Sequence, residues 1–241
     1  TMMDALHLSQ RLKLVADLVP QGSRVADIGS DHAYLPAYML LNHQIDFAVA
    51  GEVIKGPFEN AQQEVTKHQL TGSLVPRLAD GLAAIEADDH INVITICGMG
   101  GSLISQILDA HPEKLVGVKR LILQPNVGEG ELRSWLVQHH YEIMTERLIT
   151  EDDQFYEIIV AEPTQVPVAY NQRELTFGPE LIMHQGPVFQ AKWQQEIDRL
   201  KQVISQIQNA KQPPVDKIKQ YQAQVNLIQE VLTDDNRNYL N

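Results

Sequence analysis

The sequence predicts an α/β domain with a largely parallel sheet, followed by an antiparallel helical hairpin. Two patterns carry this reading. Short β-rich runs alternate with helical stretches through the first part of the chain, and apolar residues then recur at steps of three and four beyond residue 189. An amphipathic helix comes first, with Leu8, Leu12, Val15, Leu18 and Val19 at helical spacing and Pro20-Gln21-Gly22 as its stop. The β-rich runs are residues 24–28, 47–53, 74–78, 93–97 and 121–124, and helical candidates at 35–42, 57–68, 81–87, 102–110 and 129–139 separate or follow them. Strands joined through helices imply right-handed crossovers and parallel pairing.

Two further strand candidates, 141–149 and 155–162, are separated only by the acidic turn 150–154, so they form an antiparallel pair at the end of the sheet. Five β/α units closed by such a pair make the Rossmann-like pattern of class I methyltransferases, whereas dehydrogenases continue with another parallel unit. Pro163-Thr164-Gln165-Val166-Pro167 reads as a linker, which divides the chain into a Rossmann-like domain at 1–163 and a helical domain at 164–241. Residues 177–187 show no periodicity. Phe189, Trp193, Ile197, Leu200, Ile204 and Ile207 form one apolar stripe, Pro213-Pro214 breaks it, and Ile218, Tyr221, Val225, Ile228 and Leu232 form another. Steps alternating between three and four predict a coiled-coil seam.

Charge and composition narrow the function. The net charge is −12, and all of it falls in residues 1–163, where 23 acidic residues face 11 basic ones, whereas 164–241 hold eight of each. Acidity opposes non-specific binding to nucleic acid, although a local basic stripe can coexist with it. No apolar run approaches the ~20 residues of a membrane span, and the first residues lack a basic-then-apolar leader pattern. The single cysteine, Cys97, excludes an internal disulfide and suits a reducing cytoplasm, the expected location. No spacing of a metal-ligand cluster is present, so no metal is expected.

The most informative segment is Val25-Ala26-Asp27-Ile28-Gly29-Ser30-Asp31-His32-Ala33-Tyr34-Leu35, where the first strand turns into a helix. Nucleotide-binding turns place glycines at alternate positions; here Asp31 and Ala33 stand where the second and third would be. A pyrophosphate would be repelled by Asp31, whereas the sulfonium and ammonium of S-adenosylmethionine (AdoMet) would be attracted. An acidic junction without a ligand is the alternative. Glu52 ends the second strand, where an acid commonly accepts from a ribose diol. Asp80-Gly81 follows the third, placed to meet an adenine amino group or to cap the next helix. Acids at three successive strand ends point into the crevice where open α/β sheets bind ligands. After the fourth strand, Gly98-Met99-Gly100-Gly101 exposes bare backbone to a planar ring or makes a tight turn, and Gln124-Pro125-Asn126 brings amides to the same mouth.

Leu8-Ser9-Gln10-Arg11-Leu12, the stretch from Asp27 to Pro36, the turn Gly98-Met99-Gly100-Gly101 and Gln124-Pro125-Asn126 together resemble the bacterial tRNA (adenine-N1)-methyltransferase family called TrmK, which acts on adenosine 22 in the D-arm. The resemblance covers residues 5–162 closely, and the helical hairpin fits the family's architecture. It implies AdoMet as cofactor and tRNA as substrate. It also implies that Asp27, Gly29, His32, Glu52, Asp80, Gly81 and Gly98 bind the cofactor, and that Asp31, Tyr34, Met99 and Asn126 line the acceptor pocket. A monomer away from membranes is expected. The residues alone reach only an AdoMet enzyme with a polar acceptor. A methyltransferase of another RNA or of a small molecule, or a non-catalytic AdoMet-binding module, stays open.

Overall fold

In the computed structural model, which describes residues 3–234, helix α1 (Gln10–Asp17) starts at Ser9, whose side chain accepts from the Leu12 amide. Alternating elements follow: β1 (Ser23–Ile28), α2 (Tyr34–Leu41), β2 (Ile45–Glu52), α3 (Lys55–Lys67), β3 (Leu74–Leu78), β4 (Val93–Met99), α4 (Gly101–Ala110), β5 (Arg120–Pro125) and α5 (Glu129–Gln138). The strand pair β6 (Tyr141–Glu151) and β7 (Gln154–Pro163) completes one sheet, ordered β3-β2-β1-β4-β5-β7-β6. β1 to β5 run parallel, and β7 inserts antiparallel between β5 and β6.

Both faces of the central strands are covered, which is why β1 and β4 read as nearly continuous apolar runs. Successive side chains fall into different cores, as a two-residue period demands. Ala26, Ile94, Ile96 and Leu121 join α4 and α5 residues such as Ile104, Leu108, Leu132 and Leu136. Val25, Val93 and Ile122 join Val15 of α1, Leu35 and Met39 of α2 and Ala61 of α3. Each fully buried Leu or Ile contributes about 1.5–3 kcal/mol.

Two segments depart from the sequence reading. The helix expected at 81–87 is a pair of 3-10 turns, Gly81–Ala84 and Ala87–Asp89. Gly81 adopts φ +52°, and Asp89 is fixed by Arg77, whose Nη2 donates to Oδ1 at 2.8 Å, so the short connection is pinned before an α-helix forms. Residues 177–187, which carry no periodicity, contain the end of α6 (Gln172–Phe177) and all of α7 (Pro179–Met183). Such short helices span too few turns for a repeat to emerge; α6 is set instead by a capping box between Asn171 and Glu174.

The chain after Pro163 lacks regular structure until α6, yet it folds back on the sheet. The Tyr170 hydroxyl accepts from the Ile143 amide at 3.1 Å. The first compact unit accordingly extends to Pro179, and Glu180–Asn241 forms the second. In that second unit α8 (Pro187–Gln208) and α9 (Val215–Thr233) pack on one another. Phe189, Ile197, Leu200 and Ile204 are buried from α8, and Val225, Ile228 and Val231 from α9; Val231 is buried where the spacing points to Leu232.

Arg133 ties α5, β6, β7 and α6 together. It is fully buried, donates from Nε to Glu146 at 2.7 Å, pairs with Glu157, and donates from Nη1 to the Leu175 and Thr176 carbonyls. Removing one partner of such a cluster strands buried charge, whereas replacing the whole cluster by apolar groups does not. Arg133→Met should therefore cost about 3–5 kcal/mol in chemical denaturation at pH 7. Replacing Arg133, Glu146 and Glu157 together by apolar residues of matched volume should recover most of that loss; an Arg133→Met variant of unchanged stability would contradict this role.

Candidate active site

The turn leaving β1 is built around Asp27. Its buried carboxylate accepts from Ser30 Oγ at 2.5 Å and Thr95 Oγ1 at 2.6 Å. Burial pushes its carboxyl above the usual range, and the nearby charge of Asp31 adds to this, against the two hydroxyls and the positive charge of Arg11. The Gly29 and Ser30 amides both donate to the Gly51 carbonyl of β2, at 2.9 and 3.2 Å.

The backbone then turns left-handed at Asp31, His32 and Ala33, with φ of 45°, 69° and 58°. Two of these stand where glycine would be usual, so the conformation persists without the residue that adopts it freely. A left-handed L-residue costs about 1–2 kcal/mol. Ala33 is the N-cap of α2 and makes no side-chain cap bond, so the helix itself does little to hold the turn.

Glu52 ends β2 beside this turn, 5% exposed, with Oε1 lacking a hydrogen-bond partner. Burial and the charges of Asp27 and Asp31 push its carboxyl up to about 7, although the Asp31 amide hydrogen-bonds to it. A buried acceptor with nothing to accept from is the feature a ligand hydroxyl would complete.

Asp27, Gly29, Asp31, Gly98, Met99 and Asn126 line one cavity of about 340 Å³, together with Arg11, Cys97 and Tyr156. Gly98 makes this possible from the β4 side. Its φ of +74° lies at a register shift between β4 and β5, and open space faces its α-carbon. Gly101 serves another purpose: a β-carbon there would collide with the Gly128 carbonyl, so its bare backbone meets the β5–α5 loop, not a ligand. The Met99 side chain lies over Gly29. Cys97 is held as a thiol, its titration pushed up by burial and by Asp27, and is no nucleophile.

The remaining expected residues sit apart from this cavity's lining. His32 Nε2 lies 3.3 Å from Asp31 Oδ1, and its ring stacks on Tyr34 at 5.2 Å. Exposed Asp80 makes no cap bond; with Gly81, Leu103 and Ile107 it lines a second cavity of about 220 Å³. Among the described residues, no group of three or more His, Cys, Asp or Glu side chains is placed to hold a metal ion.

Sequence reasoning assigned no role to Arg11 or Tyr156, and placed Gln124 only at the mouth. Gln124 is fully buried; its Oε1 accepts from Arg11 Nη1 at 2.5 Å and from the Gly98 amide at 3.0 Å, and its Nε2 donates to Asn126 Oδ1 at 3.1 Å. The Arg11 guanidinium lies 5.2 Å over the Tyr156 ring. No periodicity signals this network, because it forms between α1, β5 and β7.

Two acids in a small cavity at the carboxyl ends of β1 and β4, with the orphaned acceptor of Glu52 beside the same turn, fit a nucleoside carrying a cationic arm. Comparison with known proteins agrees. The family model for TrmK, tRNA (adenine(22)-N(1))-methyltransferase, matches residues 25–230. The tRNA (adenine(22)-N(1))-methyltransferase of Bacillus subtilis is 40% identical over 236 residues, covering 95% of this chain and 99% of that one. Streptococcus pneumoniae Sp1610, solved in complex with S-adenosyl-L-methionine, superposes with a TM-score of 0.85 at 42% identity, covering 93% of this chain and 99% of that one. TrmK of M. capricolum, solved with S-adenosyl-homocysteine, gives a TM-score of 0.84 at 31% identity, covering 93% and 97%. With the match running from β1 into α9, the chain belongs to the TrmK family.

Proposed function

We propose that this chain transfers a methyl group from S-adenosyl-L-methionine to N1 of adenosine 22 in the D-arm of tRNA. The carrying observation is the convergence of Asp27, Gly29 and Asp31 from the β1 turn with Gly98, Met99 and Asn126 from the ends of β4 and β5 on one cavity. The TrmK membership supplies the acceptor.

The cofactor supplies an electrophilic methyl group on a sulfonium. The chain's own residues bind, orient and stabilise. In this reading Asp27, Gly29, His32 and Gly98 hold the cofactor, Glu52 accepts from its ribose diol, and Asp80 with Gly81 meets its adenine. Asp31, Tyr34, Met99 and Asn126 form the acceptor side. Adenine N1 carries a lone pair and no proton at neutral pH, so the site needs no general base. Catalysis then rests on holding the acceptor in line, worth up to about 7–11 kcal/mol in favourable cases, and on Asp31 facing the positive charge that develops on the base. N1 lies on the pairing edge, so the base must leave its stack.

The helices α8 and α9 read as an antiparallel coiled-coil hairpin, the main part of a helical domain at 164–241 that follows a catalytic domain at 1–163, although the compact units divide after Pro179. The hairpin's role is to hold tRNA: Lys192, Arg199, Lys201, Lys211, Lys217 and Lys219 offer phosphate contacts in a part of the chain without net charge, whereas residues 1–163 are strongly acidic. No helix among the described residues is long and apolar enough to cross a membrane. We take the protein to act as a cytoplasmic monomer without a metal.

Incubation with unmodified tRNA and methyl-labelled S-adenosyl-L-methionine, followed by nucleoside mapping, should give 1-methyladenosine at position 22 and no label in tRNA carrying guanosine there. Label at another nucleotide would overturn the assignment.

Glu52 adds a pH signature. Its carboxyl titrates at about 7 in the free protein, and diol hydroxyls donate to the ionised form. Binding therefore lowers its pKa and releases a proton, so affinity falls as pH drops below about 7. Calorimetry at pH 7 in buffers of different ionisation heat should show release of up to about half a proton; proton uptake, or no buffer dependence, would remove Glu52 from the ribose.

A further inference from the structure

The end of β5 carries two side-chain amides whose orientations are fixed by the network around them. Gln124 is fully buried, and its Oε1 accepts from Arg11 Nη1 at 2.5 Å and from the Gly98 amide at 3.0 Å. Both partners can only donate, so a flipped Gln124 would set its own NH2 group against two donors. Its Nε2 therefore points the other way, where it meets Asn126 at 3.1 Å. A donor there admits only Oδ1 of Asn126, which fixes the second amide in turn. The Asn126 backbone is pinned as well, its amide donating to the Met99 carbonyl at 2.8 Å. Asn126 is exposed at the cavity, and among the described residues Gln124 is the one hydrogen-bond partner of its side chain. One lone pair of Oδ1 and both hydrogens of Nδ2 are left for a ligand.

One acceptor beside one donor, both fixed, is a template for a base edge. Adenine offers N6–H as donor and N7 as acceptor side by side, and an asparagine amide meets them with two hydrogen bonds. Guanine offers two acceptors there, O6 and N7, so Oδ1 would face O6 with no proton between them. The Watson–Crick edge cannot take this contact, because an Nδ2 donor on N1 would occupy the lone pair that the methyl group needs. We propose that Asn126 holds the target adenine by its N6–N7 edge and so selects adenosine over guanosine, with Gln124 as the positioning residue that keeps the amide from flipping; this rests on the acceptor reading above. The edge carrying N1 then stays open to the methyl donor. A turned-over Asn126 would set Nδ2 against N6–H and Oδ1 against N7, two mismatches in place of two bonds.

The test is a kinetic cycle on the full-length wild type, Asn126→Ala and Gln124→Glu, each with tRNA carrying adenosine or 7-deazaadenosine at position 22. The deaza base replaces N7 by a C–H and keeps N1 and the N6 amino group. Loss of one hydrogen bond predicts that the wild type loses about 3- to 10-fold in kcat/KM on the deaza RNA. Asn126→Ala should lose about 10- to 100-fold on the adenosine RNA and treat the two RNAs alike. Gln124→Glu keeps acceptors for Arg11 and Gly98 but presents an oxygen to Asn126, so the amide turns over and its donor to N7 is lost. In that variant too the deaza penalty should vanish. Any change that the deaza base makes to the RNA's own fold acts on all three enzymes and cancels in the comparison. An unchanged penalty in Asn126→Ala would overturn the contact, and an unchanged penalty in Gln124→Glu would overturn the positioning role. A wild type that treats both RNAs alike would overturn the contact by itself, which keeps the test decisive if the variants do not fold. Absence of 1-methyladenosine at position 22 from the adenosine RNA with the wild type would instead overturn the acceptor reading.

Discussion

The turn between β1 and α2 is left-handed at Gly29 and again at Asp31, His32 and Ala33, and the candidate site depends on that backbone being held. Only the first of these four residues is glycine. Each of the others carries a β-carbon into a region that favours none, at about 1–2 kcal/mol apiece. Asp27 offsets this by accepting from both Ser30 and Thr95, and β2 contributes the Gly51 carbonyl to two successive amides. The strain is thus carried by the sheet rather than by the turn's own residues. Its result is that Asp31 faces the cavity and its backbone amide faces Glu52.

The same turn concentrates negative charge. Asp27 and Glu52 are buried and both titrate above the usual range, and Asp31 raises both. A fold does not gain stability from such an arrangement: a carboxyl whose pKa is raised on folding stabilises the protein only while protonated, and that contribution is lost as pH rises through the folded value. At Glu52 this loss runs from the ordinary value of 4.5 up to about 7 and is complete above that. The cost becomes intelligible once a cationic, hydroxyl-bearing ligand is supplied, because the charges and the orphaned acceptor then have partners. Arg11 is the counterweight within the protein, and it reaches the cavity only because Gln124, Tyr156 and the Glu151 cap converge on it.

Much of the sheet was legible because its physics is local and periodic. Buried strands such as β1 and β4 are continuous apolar runs, and the acidic turn after β6 announces an antiparallel return. What escaped was set by contacts distant in sequence or by caps too short to give a repeat. The 3-10 turns after β3 follow from Arg77 gripping Asp89, and α6 from a capping box and from its carbonyls receiving Arg133. At the site, the acids and glycines were visible as strand-end residues, and the structure gathers Asp27, Gly29, Asp31, Gly98, Met99 and Asn126 around one cavity. Asp80 and Gly81 line another, and His32 stacks with Tyr34 beside the turn. Arg11 stands in one of the stretches that carry the TrmK resemblance but was given no role, since one arginine in an amphipathic helix looks like any solvated residue until β5 and β7 are placed against it.

The most direct test of this account compares Asp31→Gly with Asp31→Ala. Both remove the carboxylate from an exposed side chain, so its charge cancels in the comparison and the backbone preference remains. If position 31 is left-handed, glycine relieves strain that alanine retains, and Asp31→Gly should be the more stable variant by about 1 kcal/mol in chemical denaturation. In an ordinary helical or extended backbone the entropy of glycine would reverse the order, leaving Asp31→Gly less stable by about 0.5–1 kcal/mol. That reversed order would show that the turn is not built as described, and with it the argument that strain placed Asp31 at the cavity would fall.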